Sequence, residues 1–165
     1  IYPGILGGSN WSPISINSDL NLAFVSGIHA PIKYTLHEKN TENGITEYTS
    51  SEPTNDPQWG LLSAVNLSTG KIQWQYKTPQ PLVGGTLSTK GGLVFVGEGN
   101  GNFNAIDAAS GALIWQTYID AGVNAPPITY FIDGEQYIAV VAGGNKIMGF
   151  SQGDYINVYK LPKAE

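Results

Sequence analysis

Few residues in this chain have the types and spacing for chemistry. The metal-ligating side chains gather in one place, at His29, His37 and Glu38. Their spacing, eight residues and then one, matches no compact zinc pattern, and the segment around them has the composition of a solvated loop. The run Gly97-Glu98-Gly99-Asn100-Gly101-Asn102 has the look of a phosphate cradle. That chemistry needs a helix N-terminus behind the glycines, whereas strand patterns lie on both sides here, so the run reads as a hairpin turn. Asp107 has the type of a general base, but the equivalent residue of a repeated segment is Asn66. A position that takes either residue answers to turn geometry rather than to proton transfer. Asn66-Leu67-Ser68 fits a glycosylation triplet, but it falls inside a strand and turn. With no cysteine, disulfides, thiolate metal sites and covalent haem attachment are excluded from this chain.

The organising feature is a repeat. Ala64-Val65-Asn66-Leu67-Ser68-Thr69-Gly70-Lys71-Ile72-Gln73-Trp74 returns, at an offset of 41 and without a gap, as Ala105-Ile106-Asp107-Ala108-Ala109-Ser110-Gly111-Ala112-Leu113-Ile114-Trp115. In each copy an Asx side chain can accept from the backbone of a turn, and a glycine four residues later tolerates positive φ. The tryptophan then falls on the outer strand of the hairpin, where its face can pack on a neighbouring unit and its N–H can reach a carbonyl. A strand precedes each turn, with Phe103 and Ala105 expected on one face and Asn104 and Ile106 on the other. A period near 40 built of short strands is the mark of a β-propeller blade.

Blades can be laid along the chain on this basis. The first spans residues 10–78, with strands at Asn10–Ile16, Leu22–Ser26, Gly60–Leu67 and Lys71–Thr78 and a long aperiodic insertion over 27–59. The second spans 84–118, and a partial third spans 125–161, ending at Asp154–Leu161 one strand short. The fold class is therefore all-β, a partial β-propeller of about three four-stranded antiparallel blades with the last incomplete. Such an arc cannot close a ring and would leave raw sheet edges, so more propeller is expected before Ile1. Loops as long as the insertion are commonly functional, and a lid over a channel mouth is one role it could serve.

Composition narrows the partners. Hydrophobic residues make up 41% of the 165 residues and charged residues 13%, about half the usual charged share. All basic residues are lysines and the net charge is −5, which argues against nucleic acid. No long apolar span suggests a membrane helix.

Several stretches together resemble the PQQ-dependent alcohol dehydrogenases (quinoprotein dehydrogenases). They are Gly7-Gly8-Ser9-Asn10-Trp11-Ser12-Pro13, the run from Gly84 to Gly97, the two tryptophan repeats, Ala125-Pro126-Pro127-Ile128-Thr129-Tyr130, Asp133-Gly134-Glu135-Gln136-Tyr137 and the ending Gly153 to Pro162. The motifs occur in family order, and they correspond to the C-terminal part of an eight-bladed propeller. The resemblance implies oxidation of an alcohol or similar substrate with PQQ and Ca²⁺ or a lanthanide, in the periplasm or a secreted setting. Electrons would pass to an acceptor other than NAD, such as a cytochrome or a quinone. It further implies a partner, the N-terminal remainder of the propeller in the same or a separate chain. That remainder would carry the catalytic base, the metal ligands, the vicinal cysteines and the cofactor-binding arginine, so this chain holds no catalytic and no metal residue and is inactive alone.

Residue by residue, Asn10, with Trp11 beside it, matches the family asparagine that contacts the quinone; its plainer reading is a turn residue capping Gly7-Gly8. Val83 and Gly84 fall where many members carry Trp-Gly beside the cofactor, and the valine here removes an indole contact. Asn145 lies in the loop that approaches the quinone in many members, although Lys146 to Phe150 depart from the family pattern. The reading from another class is a non-enzymatic propeller of PQQ-like repeats that serves as a protein-binding scaffold, as in outer-membrane assembly lipoproteins. The repeat alone cannot separate the two, because both use it to pack blades.

Overall fold

The computed structural model describes residues 1–160. Thirteen strands, and no helix among the described residues, form three antiparallel sheets and a separate hairpin. The first sheet has the order β1 (Ser15–Asn17), β2 (Leu22–His29), β5 (Trp59–Asn66), β6 (Ile72–Thr78). The second runs β7 (Thr86–Ser88), β8 (Leu93–Gly97), β9 (Asn102–Asp107), β10 (Leu113–Tyr118), and the third β11 (Ile128–Ile132), β12 (Glu135–Ala142), β13 (Tyr155–Lys160). The expected end of the third blade at Leu161 lies outside the described residues. The chain is an all-β arc of a propeller, three meanders set side by side.

The sheets stack through apolar layers. Between the first and second lie Leu22, Phe24, Leu62, Leu82, Val94, Val96 and Ile106, with Trp74 and Tyr76 packed on the edge. Between the second and third lie Phe95, Phe103, Ala105, Val123, Ile138 and Val140. Strand β9 is buried on both faces, since Phe103 and Ala105 face one layer and Ile106 the other. The polar face expected for Asn104 is therefore absent: Asn104 is fully buried and bonds to Glu98 and Gln116 instead. Innermost strands meet as well, with Ser15 Oγ 2.8 Å from Thr86 Oγ1 and the Thr86 N–H donating to the Pro13 carbonyl.

The two repeat turns fold alike. Asn66 Oδ1 accepts from the N–H groups of Ser68 and Thr69, and Asp107 Oδ1 from the Ser110 N–H and hydroxyl. Gly70 and Gly111 adopt φ of 67° and 77°, values that cost a side-chain-bearing residue free energy. Their tryptophans then diverge. Trp74 Nε1 donates to the Ala108 carbonyl at 3.0 Å, and its ring lies over Gly111, where a Cβ would stand 2.7 Å from Cδ2 and Cε3. Trp115 meets the rings of Phe103 and Tyr159 edge-on instead.

Two strand expectations are corrected. The strand expected from Asn10 begins only at Ser15, because residues 10–14 turn aside to hydrogen-bond the neighbouring sheet through Ser12 and Pro13. The insertion is not an irregular loop. β2 and β5 extend to His29 and Trp59, and between them β3 (Ile32–Thr41) and β4 (Gly44–Pro53) form a hairpin in register from Ile32↔Pro53 to Thr41↔Gly44. Both of its faces are largely exposed, so no apolar–polar alternation marked it. The Asn43-Gly44 pair, a strong hairpin signal, was there to be read.

Candidate functional site

Antiparallel order places one set of connections at one end of all three sheets. The entry to β1, the far end of β2, the start of β5, and the β6–β7, β8–β9, β10–β11 and β12–β13 connections all lie there. Asn10, Trp11, Val83, Gly84 and Asn145 all fall on these connections. Glycines let the connections touch. A Cβ on Gly84 would stand 3.2 Å from the carbonyls of Gly97 and Val123, and one on Gly144 would strike the Ser151 backbone. The Gly144 N–H donates to the Gly122 carbonyl and the Gly122 N–H to that of Ser151, each at 2.9 Å.

Val83 is buried with Ile28 and Phe150, and Leu6, Ala30 and Met148 pack against them. Its carbonyl accepts the buried Ser12 hydroxyl at 2.6 Å. Asn10 lies at the surface and donates from Nδ2 to the Leu6 carbonyl at 3.0 Å. Asn145 Oδ1 accepts from the N–H groups of Ile147 and Met148, holding the turn that presents Met148 and Phe150. The loops of Asn10, Val83 and Asn145 thus converge on one cluster, while the Trp11 indole, 62% exposed, stands outside it. A cavity of roughly 470 Å³ opens beside the cluster, between Ile5 and Leu6, the base of the hairpin and residues 146–149.

Sequence reasoning missed the buried polar groups at this end. Asn124 is buried, and neither side-chain polar atom has a partner among the described residues. It adjoins Gly84, and the preceding Val123 N–H is held by the Glu98 carbonyl. The Glu98 carboxylate is also buried. Oε1 accepts from Asn104, while Oε2 has no partner among the described residues. Burial, and second the nearby Glu98 charge, push the Tyr76 phenol up. A carboxylate among glycines at the end of an apolar strand was a signal for Glu98; Asn124 carried none.

The two histidines do not meet at a metal. His29 stacks 3.5 Å from Trp59, over which Lys77 places its ammonium, and His37 lies on the hairpin against Tyr48 and Ser50. Among the described residues no group of three or more His, Cys, Asp or Glu is placed to hold a metal ion.

An arc of propeller blades whose glycine-tight loops crowd together at one end defines the class. A PQQ family model, described as glucose/ethanol/alcohol dehydrogenase, beta-propeller domain, matches residues 46–138, more than half of the chain, and the chain belongs to this family. Quinoprotein alcohol dehydrogenase PedE of Pseudomonas putida is 36% identical over 163 residues, covering 97% of this chain and 26% of the relative. Quinoprotein glucose dehydrogenase A of Acinetobacter calcoaceticus is 29% identical, covering 98% and 26%. In fold, the chain matches the crystal structure of quinohemoprotein alcohol dehydrogenase from Comamonas testosteroni with a TM-score of 0.79 at 24% identity, covering 98% of this chain and 28% of that one. It matches a europium-containing methanol dehydrogenase with a TM-score of 0.73 at 27% identity, over 87% and 26%. The chain spans about a quarter of the length of the curated relatives it matches.

Proposed function

We propose that this chain forms one side of the cofactor end of a quinoprotein dehydrogenase that oxidises an alcohol. The observation that carries the reading is the convergence of three glycine-tight connections on Val83 and Gly84, in a chain of the PQQ dehydrogenase family. The residues fit an organic cofactor rich in acceptors. The Asn124 carboxamide, without a partner among the described residues, adjoins Gly84, and the Asn10 amide donates to the Leu6 carbonyl at the surface. An unpaired buried amide costs about 1–3 kcal/mol, which a bound polar partner would relieve.

When bound, PQQ would supply the two-electron redox chemistry. The chain's own part is to bind and orient. Asn10 would donate to the cofactor edge, Val83 and Gly84 would let it approach the backbone, and Asn145 would hold the loop facing it. For a metal the described residues do not fit, and Ca²⁺ or a lanthanide would be held by other segments. Those segments, the N-terminal remainder of the propeller in the same or another chain, would cover the exposed apolar side chains of the outer sheets, such as Ile72, Ile156 and Val158. Trp74 on Gly111 would be the docking contact by which successive blades lock. We further propose a periplasmic or secreted setting, a cytochrome or quinone as electron acceptor, and no activity of this chain alone.

The test is to load the intact parent protein with PQQ and Ca²⁺ or a lanthanide, then follow the quinone chromophore and dye-linked alcohol oxidation. A parent that stays colourless and inactive would point to the scaffold reading instead. Asn10→Ala is expected to weaken PQQ binding about 10-fold, the worth of one hydrogen bond to a charged group. Unchanged affinity removes Asn10 from the site.

A further inference from the structure

We propose that the open edge of the β3–β4 hairpin is a docking site for one more strand, and that its occupant is the stretch of the parent protein leading into Ile1. The inference rests on the reading above in one respect, that more of the propeller precedes Ile1, and it takes that remainder to be in the same chain.

The first pair of such a ladder is in place. The Ile1 nitrogen donates to the Ile32 carbonyl at 2.7 Å, and the Ile32 N–H donates to the Ile1 carbonyl at 3.2 Å. Two residues that exchange both bonds form the hydrogen-bonded pair of an antiparallel ladder. Pro3 has no N–H to continue it inward, and the Gly4 N–H donates to the Ala30 carbonyl instead. The chain from Ile1 to Gly4 therefore runs back along the entry to β3, and residues ahead of Ile1 are aimed outward along that strand.

The edge they would meet is regular. Backbone groups alternate in direction along an antiparallel strand. The Ile32 backbone faces Ile1, so those of Tyr34, Leu36, Glu38 and Asn40 face the same side. The far end of the hairpin agrees. A two-residue turn joins Thr41 to Gly44, and the residues closing such a turn bond to each other, so the odd-numbered residues of β3 face β4. Among the described residues β4 is the only strand paired with β3, and the register from Ile32↔Pro53 to Thr41↔Gly44 has no bulge. A long edge with neither bulge nor proline is a template for a further strand. A ribbon of two strands is also marginal in water, and a third strand stabilises it.

Charge and continuity decide the occupant. Glu38 stands directly opposite Glu47, and like charges so placed destabilise a ribbon. Counted outward from Ile1 and Ile32, the exposed Tyr34 and Leu36 meet the residues two and four positions ahead of Ile1, and Glu38 meets the one six ahead. Apolar residues are expected at the first two places and lysine or arginine at the third. A second copy docked edge to edge would bring two more glutamates instead. The entry stretch also leads by backbone bonds to the candidate site. The Gly7 N–H donates to the Gly4 carbonyl, the Ile28 N–H to the Gly8 carbonyl, and Asn10 Nδ2 to the Leu6 carbonyl. A strand seated on β3 would thus anchor the loop that carries Asn10.

The experiment uses the intact parent protein. Thr35→Cys is combined with a cysteine three positions ahead of Ile1, its expected cross-strand neighbour, and in a control with a cysteine four positions ahead. Opposed residues of a ladder have Cα atoms about 4.5–5.5 Å apart, within disulfide reach. An intramolecular disulfide is expected in the first variant and its loss in the control, whose cysteines lie on opposite faces. In the unsubstituted parent, the amides of Tyr34, Leu36 and Glu38 should exchange with deuterium as slowly as those of Thr35 and His37, which face β4. On an open edge they would exchange about 100-fold faster. Equal linkage in both variants, linkage between molecules, fast exchange at the even-numbered amides, or an acidic residue six positions ahead of Ile1 overturns the inference. None of these readouts involves turnover, so the dehydrogenase reading stands or falls separately, on the chromophore and alcohol oxidation.

Discussion

The repeat contains its own controlled experiment on how neighbouring blades lock. Gly70 and Gly111 hold the same turn position at nearly the same φ, but nothing lies within 4 Å of a Cβ on Gly70, whereas one on Gly111 would press into Trp74. Alanine at either site bears the cost of left-handed backbone, about 1–2 kcal/mol. At Gly111 the ring must also shift, at an overpacking cost of about 1–3 kcal/mol. Its hydrogen bond to the Ala108 carbonyl, worth about 0.5–1.5 kcal/mol, weakens with the shift. Because the second cost includes part of the third, Gly111→Ala should exceed Gly70→Ala by about 1–3 kcal/mol. The assay is urea unfolding of the intact protein carrying each substitution, repeated in a Trp74→Ala background as a double-mutant cycle. Without the indole, the two alanines should cost the same. Equal costs with Trp74 present, or an excess at Gly111 that survives its removal, would refute the claim that this ring–glycine contact binds the two sheets.

Asp107, held below the usual carboxylate range by the Ser110 hydroxyl first and then by the Ser110 N–H, should make stability depend on acid. Its folded-state pKa is depressed, so its contribution is full above the unfolded value of about 4 and fades as pH falls through the lower folded value. Asp107→Asn, which copies Asn66 of the first repeat, should keep the turn and flatten that acid limb; comparing unfolding midpoints near neutrality and in acid checks this. Ser12→Ala removes a buried donor to the Val83 carbonyl and should cost about 1–2 kcal/mol by urea unfolding; a neutral result would mean that this bond does not tether the loop. Glu98→Gln keeps the acceptor for Asn104 and removes a buried charge, so the melting temperature should rise. A fall of several degrees would show that the carboxylate has a stabilising partner.

Much of this architecture could be read along the chain because its signals are local. Turn geometry at Asn66–Gly70 and Asp107–Gly111 depends on side chains bonding their own backbone and on glycine's freedom at positive φ, both properties of a few adjacent residues. The tryptophans could be placed on outer strands for the same reason. The β3–β4 hairpin escaped notice because both its faces meet solvent, so its strands show no alternation even though Asn43-Gly44 marks the turn. Which partner each indole finds was not a local matter: Trp74 lies on a glycine 37 positions along the chain and Trp115 on two rings. The candidate site depended still more on assembly. Loops far apart in order come together because antiparallel pairing returns their ends to one side. Burial then leaves Asn124, and one carboxylate oxygen of Glu98, without a partner among the described residues, a property set by neighbours that no short window of sequence contains.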